Sequence, residues 1–94
     1  MTYRILQTEE FQKWFQDQNL KTQLIITARL ERLQEEGHWG FTNRFEDLIE
    51  LKWISGMRIY TSLIGNTLVI ILLGGNKNGQ SKDIKKAKGP LKKI

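Results

Sequence analysis

The sequence predicts an α+β domain: a small, curved, mainly antiparallel sheet with an N-terminal helical hairpin on one face. Apolar residues recur at helical spacing as far as Leu33, alternate at strand spacing from Leu48, and are separated by turn residues where the period changes. Ninety-four residues suit one such domain, spanning 1–94. The predicted order is β-α-α-β-β-β-α.

Tyr3 to Leu6 reads as a short opening strand. Thr8 offers an N-cap hydroxyl, and Glu9 and Glu10 put negative charge where the helix dipole favours it. Phe11, Trp14 and Phe15 follow at helical spacing, so a first helix runs from about Glu9 to Asp17, and Asp17-Gln18-Asn19 breaks it. A second helix runs from Leu20 to Glu36 and ends at Gly37, a left-handed cap. Its apolar residues (Leu20, Leu24, Ile26, Ala28, Leu30, Leu33) cover a broad arc, which places it between the sheet and the first helix.

Gly37 to Asp47 reads as a loop holding His38, Trp39, Phe41 and Arg44. Leu48 to Trp53 and Met57 to Ile64 alternate about a turn at Ile54-Ser55-Gly56. Gly65-Asn66 makes a two-residue turn into Thr67 to Leu73, an apolar run fit for a strand buried on both faces. Gly74 to Gly79 reads as a glycine-rich loop, with Gly74-Gly75 a bend at positive φ. Ser81 caps a third, lysine-rich helix to about Lys88. The helices are expected on one face of the sheet, with Phe11, Trp14, Phe15 and Trp53 in the core.

Without cysteine or a signal-peptide pattern, the expected setting is a reducing cytoplasm. The longest apolar run is too short for a bilayer, which takes about 20 residues, so no membrane partner is expected. Residues 1–76 carry eight Lys/Arg against nine Asp/Glu, whereas 77–94 carry seven Lys against one Asp. A polyanion or an acidic protein suits that asymmetry, as does a merely solvated lysine-rich helix.

The stretch Ile49 to Tyr60, IELKWISGMRIY, departs from an ordinary hairpin. Ile49, Leu51, Trp53, Met57 and Ile59 form the core side, leaving Glu50, Lys52, Arg58 and Tyr60 together on the other. A surface ion pair of Glu50 with Arg58 would explain part of this, at about 0–1 kcal/mol.

The strands Glu50-Leu51-Lys52 and Gly56-Met57-Arg58-Ile59-Tyr60 are followed by Gly74-Gly75-Asn76-Lys77 with Gln80, Asp83, Ile84 and Ala87. Together with Phe11 and Trp14 they resemble the RelE/ParE superfamily of bacterial toxins, most closely its HigB-like (addiction module killer) branch. The resemblance implies a RelE-like toxin fold and a toxin held inactive by a cognate antitoxin of helix-turn-helix DNA-binding type. It also implies cleavage of mRNA on the ribosome by metal-independent attack of the 2′-OH, with no cofactor. The sheet face would then hold the scissile phosphate.

On that reading Arg58 forks onto the phosphate, Lys52 clamps it or acts as base, and Lys77 reaches the same face. Glu50 orients Lys52 or Arg58 or serves as base. Tyr60 stacks on a base or lends its hydroxyl, and His38 swings in as acid or base. Arg44, Lys82, Lys85 and Lys86 contact RNA more peripherally. The chain departs from many ribosome-dependent members in carrying Glu50 where they carry a basic residue. It also has no aromatic residue after Tyr60 and no histidine after His38. A ParE-like gyrase inhibitor and an inactive antitoxin- or RNA-binding module of the same fold are the alternatives.

Overall fold

The computed structural model describes residues 2–79 and 83–87. Its elements are β1 (Arg4–Gln7), α1 (Glu9–Gln16), α2 (Leu20–Glu36), β2 (Thr42–Phe45), β3 (Leu48–Lys52), β4 (Met57–Ile64) and β5 (Leu68–Asn76), with a 3₁₀ turn at Lys77–Gly79. Residues 83–87 are helical. One five-stranded sheet has the order β1-β5-β4-β3-β2, antiparallel except where β1 lies parallel to β5.

Thr8 does three jobs at the first junction. Its hydroxyl accepts from Phe11 N at 3.1 Å, capping α1, and donates to the Leu72 carbonyl at 2.5 Å. Its own N–H donates to the Ile71 carbonyl at 3.1 Å, so the end of β1 and the start of α1 are both tied to β5. Asn19, read from sequence only as a breaker, caps α2 by accepting from Thr22 N at 2.8 Å. Gly37 ends that helix at φ 68°, where a Cβ would be strained.

The main core lies between the helical hairpin and the sheet. Phe11, Ile26, Leu30 and Leu33 meet Leu51, Ile59, Val69 and Ile71, flanked by the half-buried Trp14, Phe15 and Trp53. A second cluster occupies the opposite sheet face: Leu48, Tyr60, Ile70, Leu72 and Leu73, covered by Ala87 with Ile84 beside it. Tyr60 pairs with Leu73 and Thr61 with Ile71, leaving Leu72 as a bulge. The extra residue lets Leu72 and Leu73 both enter that cluster.

Several expectations change. Residues 42–45, read as loop, form the edge strand β2, so the order is β-α-α-β-β-β-β before the C-terminal helical segment. The turn after β4 has three residues, 65–67, because Ile64 pairs with Leu68. Gly74, Gly75 and Asn76 continue β5 rather than opening a loop, and neither glycine has positive φ. Helices cover both sheet faces, since the 83–87 segment packs opposite the hairpin. Leu20 and Leu24 are 70% and 61% exposed, so half of the apolar arc on α2 faces outward. The expected Ser81 cap and the helix end at Lys88 lie outside the described residues.

Candidate functional site

The β3–β4 register sets Glu50 opposite Tyr60 and Lys52 opposite Arg58, so the four polar residues do share one face. The turn between them is closed by Trp53 N to the Met57 carbonyl at 3.1 Å and Gly56 N to the Trp53 carbonyl at 3.0 Å. Gly56 sits at φ 100°, a conformation that excludes most side chains.

Part of this face is closed. Glu50 and Tyr60 are 0% exposed and Arg58 is 9% exposed, so the ion pair read as a surface feature is buried. Arg58 Nε lies 3.9 Å from Glu50 Oε1, diagonally across the strands. Its Nη1 donates to the carbonyls of Trp53 (2.9 Å) and Met57 (2.8 Å), which aims the guanidinium at the hairpin turn. Tyr60 packs under Ala87, so its ring is not presented to a stacked base. Burial pushes its hydroxyl well above the usual phenol range, the negative charges of Glu50 and Asp83 add to this, and Arg58 opposes it.

The glycines of β5 explain how the 83–87 segment comes so close. A Cβ on Gly75, which pairs with Arg58, would lie 2.1 Å from Asp83 Oδ2. A Cβ on Gly74 would lie 2.3 Å from the Trp14 ring on the opposite face. The Gly-Gly pair is therefore a thin point of the sheet, filled from both sides.

The open part of the site lies at the turn end. Lys52 is half-buried, with Nζ 4.6 Å from the centre of the Phe41 ring. With the Asn43 amide turned to present its oxygen, that atom accepts from Lys52 Nζ at 3.1 Å. Lys77 is exposed, its N–H donates to the Gly56 carbonyl at 2.9 Å, and its stem runs beside Gly56. Lys52, Arg58 and Lys77 thus gather around the hairpin turn.

Arg29 of α2 supports this end from beneath. Its guanidinium donates to the carbonyls of Lys52, Trp39 (3.1 Å) and Phe41 (2.6 Å) and stacks 4.3 Å from the Trp53 ring centre. Burial lowers its pKa. Sequence reading passed over Arg29 and Asn43 and noted Phe41 only as a loop residue. The signal for Arg29 was present: it interrupts the Ile26–Leu30–Leu33 stripe at the i+3 position, where a cation needs a reason. Asn43 was hidden by reading β2 as loop, and Phe41 stands just before that strand.

Other expected residues lie elsewhere. His38 is exposed beside the end of α2, with Arg32, Ala28 and Gly40. Arg44 pairs with Ile49 and so lies on the other face from Glu50, near Glu46, Asp47 and Ser62. Lys85 and Lys86 are exposed on the 83–87 segment, and Lys82 lies outside the described residues. Among the described residues, no three or more His, Cys, Asp or Glu side chains converge to hold a metal ion. None of the described helices is long and apolar enough to cross a membrane.

No family model matches the chain. An uncharacterized protein of Haemophilus influenzae is 39% identical over 92 residues, covering 94% of this chain and 92% of that one. The chain belongs to the same family as that protein. Among solved structures, a mutant of the E. coli toxin RelE in the free state matches with a TM-score of 0.72 at 18% identity, over 96% of this chain and 98% of RelE. The isolated E. coli RelE toxin matches at 0.65 and 16% identity, over 89% and 97%. The RelBE2 toxin–antitoxin complex of Mycobacterium tuberculosis matches at 0.65 and 15% identity, over 81% and 99% of the matched chain. The fold is that of the RelE toxins.

Proposed function

We propose that the chain is the toxin of a type II toxin–antitoxin pair and an RNA endonuclease, of the HigB-like branch, that stops translation by cutting mRNA on the ribosome. The observation that carries this is the convergence of Lys52, Arg58 and Lys77 at the hairpin turn, on a fold shared with RelE. The RelE-like structures and the RelBE2 complex support the toxin role and an antitoxin partner.

In the proposed step the 2′-oxygen attacks phosphorus, its proton passes to a base, and the P–O5′ bond breaks as the leaving oxygen takes up a proton. The products are a 2′,3′-cyclic phosphate and a 5′-hydroxyl end. Lys77, which is exposed, and Lys52, half-buried at the same turn, meet the phosphate and neutralise the charge that builds on it. Arg58 contributes its charge at the turn, and Glu50, buried against it, acts as the positioning residue. Tyr60 holds its proton and supports the face without entering the step. Lys85 and Lys86 add salt-sensitive attraction to ribosomal RNA.

The test is mRNA cleavage in a reconstituted translation reaction with wild type, Lys52→Ala, Lys77→Ala and ribosome-free RNA. Ribosome-dependent cuts that weaken by about 10²-fold or more in each variant are expected, the scale for removing one charge-stabilising group. Intact mRNA with folded, antitoxin-free wild type would overturn the nuclease reading. Induction of the DNA-damage response would then point to gyrase, and no growth effect to an inactive module.

A further inference from the structure

Stacking on a base, expected of Tyr60, is closed to it because the ring is buried. Among the described residues Phe41 is the one exposed aromatic side chain, at 59%. The β2–β3 register, carried one residue beyond the Thr42–Leu51 pair, sets it opposite Lys52, whose N–H donates to the Phe41 carbonyl at 2.9 Å. Phe41, Lys52, Arg58 and Gly75 therefore form one row across the candidate face, with Phe41 at its outer end.

An isolated surface hydrophobic needs no explanation, but this one is held in place. Its carbonyl also accepts from Arg29 Nη2 at 2.6 Å, and the same nitrogen donates to the Trp39 carbonyl at 3.1 Å. Gly40, between them, has φ 72°, and a Cβ there would lie 3.2 Å from that Nη2. The Trp39-Gly40-Phe41 segment is thus drawn down onto a half-buried cation, while the Phe41 ring stays in solvent.

We propose that Phe41 is the platform on which a base of single-stranded RNA stacks, beside the phosphate met by Lys52. The proposal rests on the nuclease reading and deepens it. Lys52 Nζ lies 4.6 Å from the ring centre and donates to the turned Asn43 amide oxygen at 3.1 Å. An ammonium has three donors, so that bond leaves others for a phosphate oxygen. One nucleotide carries its phosphate and its base on the same sugar, and a cation beside an aromatic ring matches both ends. A base already paired in a duplex cannot turn onto such a ring, whereas a splayed, unpaired base can. Every base has a face to stack, so Phe41 supplies grip and position rather than base identity.

The experiment follows cleavage in a reconstituted translation reaction for wild type, Phe41→Leu, Phe41→Tyr and Phe41→Trp, each checked for folding by thermal melt. The messages are either intact or lack one base next to the cut, with the 2′-hydroxyl of that nucleotide kept. Phe41→Leu keeps an apolar side chain without the flat ring. It should lower kcat/KM by about 5- to 150-fold, the worth of one base stacked on an aromatic side chain. The tyrosine and tryptophan variants should cut at rates near wild type. Wild type should lose a similar factor when one particular base is missing, and Phe41→Leu should lose nothing further on that message. This coupling separates stacking from a structural role, which would slow every message alike. Equal cutting by wild type and Phe41→Leu, or two losses that simply multiply, would overturn the platform. So would a wild type indifferent to every missing base, a result that needs no variant to fold. A folded wild type that cuts no message would overturn the nuclease reading beneath it.

Discussion

Replacing Arg58 with Met keeps most of the side-chain volume and removes the charge. It removes the cation that lies 3.9 Å from the Glu50 carboxylate, which is 0% exposed. Breaking a buried pair by deleting one member costs roughly 3–5 kcal/mol, because the survivor is still desolvated. Against a total of roughly 5–15 kcal/mol for a domain, that is a large fraction. At about 4–8 °C per kcal/mol for a chain of this size, the melting temperature falls by roughly 12–40 °C. Removing both charges, as Arg58→Met with Glu50→Leu, recovers most of the loss, since an apolar pair of similar volume is often as stable as a buried ion pair. Urea and thermal denaturation of wild type, both single variants and the double variant close the cycle. A loss below about 1 kcal/mol in Arg58→Met, the worth of an exposed pair, would refute the buried-pair argument, as would a double variant no more stable than the single. The same reasoning makes Arg58 a poor first test of catalysis, because its loss mixes unfolding with chemistry.

Gly74→Ala drives a Cβ against the Trp14 ring and should cost about 1–3 kcal/mol, read as a lower urea midpoint with unchanged slope. Gly75→Ala should cost less, because the end of the flexible Asp83 side chain can swing away; an equal loss would show that Asp83 is held rigidly. Arg29→Lys should lose about 1.5–3 kcal/mol and lower the cleavage rate, since a lysine cannot reach three carbonyls from one planar fork. Tyr60, its folded pKa raised, contributes stability that is complete below the unfolded value of about 10 and is lost as pH climbs above it. In a Tyr3→Phe variant the phenolate absorbance should accordingly rise together with unfolding. A phenolate signal in a chain still folded by circular dichroism would contradict the burial of Tyr60.

The elements with strong periods or caps were legible. Thr8, Gly37 and the alternation of Leu48–Lys52 and Met57–Ile64 mark their boundaries within about a residue. β2 was not legible because Thr-Asn-Arg-Phe is a four-residue edge strand whose two strand formers are separated by Asn and Arg, too short to show an alternating pattern. Its turn places Glu46 at φ 56° with no glycine or asparagine at that position to announce it. Gly74-Gly75 misled in the opposite direction, since glycine also marks places where side chains press on a strand from above and below. For the site, alternation put Glu50, Lys52, Arg58 and Tyr60 on one face. It carried no information about the 83–87 segment that closes half of that face, because coverage is a long-range fact.

The parallel pairing of β1 with β5 bears on how the molecule comes into being. Arg4 lies beside Leu68, so the first strand made has no partner until the last one has been synthesised. Sequence-distant pairing of this kind is slow to form. The β2–β3–β4 meander can assemble on local contacts in the meantime, and once β5 joins it, its far edge stays open until β1 docks. Along the chain, the residues of the hairpin carrying Lys52 and Arg58 all precede β5, the strand that gives β1 its place in the sheet.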